Sequence, residues 1–233
     1  MSLMTNLPAE PTAAIPDDLY PTYLQKLLAG EKGPCQEIVL RLLDQGLELK
    51  TLYLDLIQRS MYEVGSLWEK HRISVAVEHL ATGITEQMLT LVYPRLFARP
   101  RTGQGAVISC TMNEFHQIGG KMVADIFELH GWDGYFLGAN TPLRDLANLI
   151  EKKQPSVAGL SVSLFGHLPL LADALAELTR QFPSLPILVG GQAFRWGGAD
   201  LASRFPNVLH LPTIAALEAQ IEAWGQNRKT PAW

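Results

Sequence analysis

The chain has 233 residues, 47% of them hydrophobic and 18% charged, with a net charge of −4. That length supplies a core without metal or disulfide staples, and that composition excludes wholesale disorder. With 19 Lys and Arg against 23 Asp and Glu and no basic run, the chain lacks an electrostatic footprint for a phosphate backbone, so no direct nucleic-acid binding is expected. The two cysteines, Cys35 and Cys110, make neither a zinc set nor a disulfide scaffold. They fit a reducing cytoplasm. No apolar run nears the roughly 18–20 residues that a bilayer crossing needs, and no signal peptide opens the chain. A cytoplasmic location with no membrane contact follows as the expectation.

Residues 1–18 carry Pro8, Pro11 and Pro16 among small side chains and read as a disordered tail. Four helical patterns then run to residue 98. Leu24, Leu27 and Leu28 mark the first, and Ile38, Val39, Leu42 and Leu43 the second. Leu52, Leu54, Leu56 and Ile57, continuing toward Met61 and Val64, mark the third. Leu80, Ile84, Met88, Leu91 and Val92 mark the fourth, from Val75 to about Tyr93, with Ser74 as its N-cap. They are expected to pack as a four-helix bundle over residues 19–98. The polar stretch from Pro94 to Gly105 breaks the period and reads as a linker.

From residue 104 to 233 the pattern alternates. Strands are expected at Ala106–Cys110, Tyr135–Leu137, Val157–Ser163, Ile187–Val189 and Val208–Leu211. Helices are expected near Gln117–His130, Leu143–Lys152, Leu168–Gln181, Ala199–Arg204 and Ile214–Trp224. Five βα units with apolar strands imply a flavodoxin-like, doubly wound five-stranded parallel sheet. The fold class is therefore α plus α/β. Ligands of such sheets sit beyond the carboxyl ends of the strands.

The chemistry-bearing residues fall at those ends. Glu114, Phe115, His116, Gln117, Ile118 and Gly119 follow the first strand. Ser161, Val162, Ser163 and Leu164 follow the third, Gly190 and Gly191 the fourth, and Thr213 the fifth. Familiar α/β alternatives fail. Gly120-Lys121 is followed by Met122, which breaks the phosphate-loop pattern, and no G-x-G-x-x-G follows the first strand. Serines stand where a phospho-receiver needs an Asp, and Ser161 has no G-x-S-x-G around it. What remains is a loop His two residues after a carboxylate. The carboxylate can fix the tautomer of the imidazole and raise its basicity as a metal ligand. One His cannot hold a free ion tightly, but it can supply an axial ligand to a metal already held in a macrocycle.

Glu114-x-His116-x-x-Gly119, 41 residues, Ser161-x-Ser163, 26 residues and Gly190-Gly191 together resemble the signature of the cobalamin-binding domain. The departures are Glu for Asp at 114 and Ser for Leu or Thr at 163. The resemblance implies that His116 is the lower axial ligand of cobalt and that the dimethylbenzimidazole tail lies in a slot beside the sheet, near Ser161 and past Gly190 and Gly191. In the helical half, Trp68, nine residues, then Glu78-His79 resembles CarH/LitR-type photoreceptors and AerR-like regulators. There the helical module caps the upper corrin face. Trp68, Val75, Glu78 and His79 are the implied upper-face residues, with adenosylcobalamin as the implied cofactor and methylcobalamin or hydroxocobalamin as other forms. Photocobilin-like sensors share the layout and add a bilin. Where the light-regulated type has a second His after the Trp, this chain has Glu69; His71 and His79 are the nearest imidazoles. The usual N-terminal helix-turn-helix domain is missing from the first 18 residues.

The expected function is a light- or cobalamin-responsive sensor and regulator, not an enzyme, acting through a homo-oligomer or a regulatory protein partner. The alternative is a corrinoid carrier, the subunit of a methyltransferase system.

Overall fold

The computed structural model describes residues 14–227. The chain divides into two compact units between Pro94 and Arg95. Most of the expected tail lies outside the described residues. Residues 14–18 lead directly into the first helix, where Leu19 N–H donates to Pro16 O at 2.9 Å.

The first unit is helical: α1 (Leu19–Leu28), α2 (Lys32–Asp44), α3 (Leu49–Thr51), α4 (Arg59–Glu69) and α5 (Val75–Thr90), with the single turn α6 (Tyr93–Leu96) at its end. Between α3 and α4 the helix does not stop. Residues Leu52–Gln58 continue it as a π-helical stretch, so residues 49–69 form one rod with a widened segment. The periodic apolar positions supply the core. Tyr23, Leu27, Val39, Leu42, Leu43, Leu52, Tyr53, Leu56, Ile57, Val64 and Ile84 are all buried. Ser74 caps α5 as expected, its hydroxyl accepting Val77 N–H at 3.3 Å.

The second unit alternates strand and helix: β1 (Gly105–Cys110), α7 (Ile118–Leu129), β2 (Asp133–Phe136), α8 (Leu143–Lys153), β3 (Val157–Ser161), α9 (Leu168–Gln181), β4 (Ile187–Gly190), α10 (Ala199–Ser203), β5 (Val208–His210) and α11 (Ile214–Asn227). The strands are all parallel, in the order β2-β1-β3-β4-β5, so the chain reverses direction beside β1. That topology puts a crevice at the carboxyl ends of β1 and β3. One face carries a core of Val107, Ala158, Leu160, Ile187 and Val189 against Leu146, Leu171, Leu175 and Leu178. On the other face α7 packs with α11. There the buried Trp132 ring stands 5.2 Å from Phe127 and 5.9 Å from Trp224.

Every strand differs from the sequence reading by a residue at one end or more, and two bounds differ by two residues. β2 begins at Asp133, because its first residues pair with Gly105 and Ala106 despite having little to bury. β3 ends at Ser161, because the backbone beyond it turns to serve a carboxylate.

Candidate functional site

Glu114 organises the carboxyl end of the sheet. The chain leaves β1 at Cys110 and turns tightly, with Glu114 N–H donating to Thr111 O at 3.0 Å. Asn113 takes a left-handed φ of 65° there, held by its N–H donating to Asn140 Oδ1 at 2.9 Å. The turn drives the Glu114 side chain inward until it is fully buried. A buried carboxylate survives only if its lone pairs are met. Oε1 accepts His116 N–H at 3.0 Å and faces His116 Nδ1 at 2.5 Å. Oε2 accepts Ser163 N–H at 2.8 Å and Leu164 N–H at 3.1 Å, and His167 Nδ1 lies 3.4 Å away. Burial pushes this carboxyl up. The hydrogen bonds from the His116 ring, His116 N–H, Ser163 N–H and Leu164 N–H outweigh burial and hold it at about 2.

That low value fixes the tautomer of His116. An ionised carboxylate can only accept, so the proton between them belongs to Nδ1, and the lone pair of the neutral ring lies on Nε2. The His116 side chain is 56% exposed, while its Nδ1 faces the buried carboxylate. Exposed Phe115 and Leu164 flank it. The neighbouring Cys110 thiol is buried and pushed up to about 12 by burial and by Glu114, which removes it as a nucleophile.

A second feature crosses the sheet at the same level. Cys110, Ser161 and Gly190 are aligned partners at the ends of β1, β3 and β4. Ser161 lies toward α7, its Cβ 3.6 Å from where a Gly120 side chain would begin. A Cβ added at Gly119 would meet nothing within 4 Å, and one at Gly190 only Leu211 O at 3.7 Å. Gly191 is different. It has φ +114°, and a Cβ there would lie 2.1 Å from Val162 O. The backbone of this protein already uses the absence of that side chain. Gly190 is the position with space in front of it.

Further members of the expected set have local duties. Val162 is buried and its N–H donates to Gly190 O. Gln117 precedes α7 and its Oε1 accepts Ala139 N–H at 3.2 Å. Ile118 opens α7. Thr213 precedes α11, its hydroxyl accepting Ala216 N–H at 3.1 Å. In the helical unit Trp68 is the penultimate residue of α4 and half exposed. Val75 opens α5 and is exposed, and Glu78 lies in its first turn, where Oε1 accepts the Thr82 hydroxyl at 2.9 Å. Oε2 of Glu78 lies 3.6 Å from Nε2 of the exposed His79. His167 is the site residue that the sequence did not disclose. It is 53 residues from Glu114 and belongs to no motif.

A helical module followed by a parallel sheet with a carboxylate-held loop His at its switch point defines a class of corrinoid-type binding protein. Two family models, each described as B12 binding domain, match residues 20–93 and 105–208. The chain belongs to the B12-binding-domain proteins and binds a cobalamin or corrinoid cofactor. It is 33% identical over 125 residues to the HTH-type transcriptional repressor CarA of Myxococcus xanthus, covering 53% of this chain and 43% of that protein. It is 28% identical over 180 residues to the repressor CarH of the same organism, covering 75% and 59%. The chain spans about half the length of these curated relatives. The monomethylamine corrinoid protein of Methanosarcina barkeri shares the fold, with a TM-score of 0.74 at 14% identity over 88% of this chain and 98% of that one.

The residues present fit such a cofactor. Among the described residues no group of three or more His, Cys, Asp or Glu could hold a free metal ion. A single anchored imidazole suits a metal that arrives in its own macrocycle. Cys110, Ser161 and Gly190 put only short side chains in the row at the strand ends. No helix among the described residues is long and apolar enough to cross a membrane.

Proposed function

We propose that this chain holds cobalamin base-off, with His116 Nε2 as the lower axial ligand, and works as a light- or cobalamin-responsive regulator. The observation that carries the reading is the His116 ring pinned through Nδ1 to the buried, ionised Glu114. Pinning orients the ring, leaves the lone pair of the neutral imidazole on Nε2 and strengthens it as a donor. Ser161, Gly119 and Gly190 receive the nucleotide tail, with Gly191 shaping the turn behind it. Trp68, Val75, Glu78 and His79 serve the upper ligand, and Trp68 is the side chain that covers it. When bound, the cofactor supplies a cobalt–carbon bond that light can break.

The regulator reading is supported by the likeness to two transcriptional repressors, over 125 and 180 residues. Adenosylcobalamin is the favoured form, because the Trp68-x9-Glu78-His79 spacing resembles regulators that use it. The ligand exchange is read by a bistable protein surface, which alters self-association or a regulatory protein partner in the cytoplasm. The test is the absorption spectrum and oligomeric state of the adenosylcobalamin-loaded protein, in the dark and after illumination. The reading expects a change in both. No light-dependent change, together with methyl uptake from a corrinoid methyltransferase, would overturn it in favour of a methyl carrier. An added bilin would appear in the same spectrum.

A further inference from the structure

The rod that carries Trp68 has an unusual construction. Leu52 N–H donates to Glu48 O in the ordinary α pattern, but by Arg59 the N–H reaches back five residues to Leu54 O. A π-helical stretch holds one residue more than an α-helix of the same span and is found frequently at functional sites. When such a stretch migrates along a helix, the residues it passes rotate by about 100° and advance by about 1.5 Å.

Three observations around this stretch set its direction of travel. First, the junction is latched. Tyr20 of α1 donates from its hydroxyl to Arg59 O at 3.4 Å, and the Arg59 guanidinium lies 3.7 Å from the centre of the Tyr20 ring. Second, the two halves of the rod are held unequally. Leu52, Tyr53, Leu56 and Ile57 are buried in the π-helical half, whereas Ser60 and Val64 are the only buried residues of α4. The end bearing Gly65 and Trp68 is held by fewer buried side chains. Third, the rod closes under strain. His71 sits at φ 54°, a left-handed conformation costly for a residue with a side chain, while His71 N–H and Arg72 N–H donate to Trp68 O and Leu67 O.

We propose that the π-helical stretch at residues 52–58 is a register switch that re-aims Trp68, latched in its present register by Tyr20 and Arg59. Migration of the stretch toward Trp68 breaks the latch, turns the weakly held end of α4 and releases His71. The switch belongs to the polypeptide and exists without cofactor. Its use as a signal rests on the reading of Trp68 as the cover of the upper ligand.

The test is 19F NMR of the full chain labelled with 5-fluorotryptophan and free of cofactor. The chain has five tryptophans, and Trp68→Phe assigns the signal of interest. Two exchanging Trp68 signals are expected. Tyr20→Phe keeps the ring and removes the donor, and should raise the minor population about fivefold, the factor one net hydrogen bond is worth. His71→Gly relieves the strain of the present register and should lower that population. A single Trp68 signal, unmoved by either variant, overturns the switch. Cobalamin uptake by the same preparations is read separately by absorbance. Uptake with an invariant Trp68 signal sinks the switch alone. Failure of uptake with two Trp68 signals sinks the cobalamin reading and leaves the switch standing.

Discussion

Replacing Glu114 by Gln tests the electrostatics of the site with a near-isosteric change. The carboxylate is surrounded only by donors: His116 N–H and Nδ1–H on Oε1, and Ser163 and Leu164 N–H on Oε2. An amide has one acceptor oxygen and one NH2 group. Turned one way the NH2 strands Ser163 N–H and Leu164 N–H; turned the other it strands His116 N–H, while the ring changes tautomer so that Nδ1 accepts. One or two stranded donors cost about 1–6 kcal/mol. The carboxyl held at about 2 in place of 4.5 by these same hydrogen bonds corresponds to roughly 3 kcal/mol at neutral pH. Urea unfolding of the cofactor-free protein at pH 7 should therefore show Glu114→Gln destabilised by about 2–4 kcal/mol. The sign of the pH dependence is fixed as well. A carboxyl depressed on folding stabilises above its unfolded value, and that contribution disappears as pH falls through its folded value. The gap between wild type and variant should be full above about pH 5 and should close between 4.5 and 2. Cobalamin affinity should fall about 10–100-fold, because the ring of His116 loses its anchor. Equal stability of the two proteins at pH 7, or a gap that does not narrow in acid, would refute the reasoning.

Other substitutions separate structural duties from ligand duties. Gly191→Ala places a Cβ 2.1 Å from Val162 O at φ +114° and should destabilise the protein by more than about 2 kcal/mol in thermal unfolding. Gly190→Ala meets nothing closer than 3.7 Å and should leave stability within about 0.5 kcal/mol while weakening cobalamin binding in an absorbance titration. Ser74→Ala removes the cap of α5 and should cost about 1 kcal/mol in the same unfolding assay.

Much of the fold was legible because the apolar spacing follows the backbone period. The four helical patterns and the βα alternation each contain enough buried positions to declare themselves. The π-helical stretch did not, since over seven residues Leu52, Leu56 and Ile57 satisfy α and π spacing alike. β2 was misplaced by two residues because Asp133 and Gly134 join the ladder through their backbone alone. The site was legible where side chains make it, as at Glu114 and His116. It was illegible where the backbone does. Ser163 and Leu164 reach Glu114 through backbone N–H groups, so Ser in place of Leu or Thr at 163 keeps that hydrogen bond. His167 approaches from the turn before α9, and nothing in local sequence links it to a residue 53 positions earlier. Gly190 and Gly191 look equivalent as letters. Only the approach of Val162 O tells them apart.

The central claim is that His116 is the axial ligand of the cobalt. It is tested most directly by electron paramagnetic resonance of the protein loaded with the cobalt(II) form of cobalamin, prepared with and without 15N-labelled histidine. If His116 ligates, the nitrogen splitting of the cobalt lines changes from three components to two on labelling, and this effect of labelling disappears in His116→Ala. A splitting that labelling leaves unchanged, or an effect of labelling that persists in His116→Ala, would contradict the account.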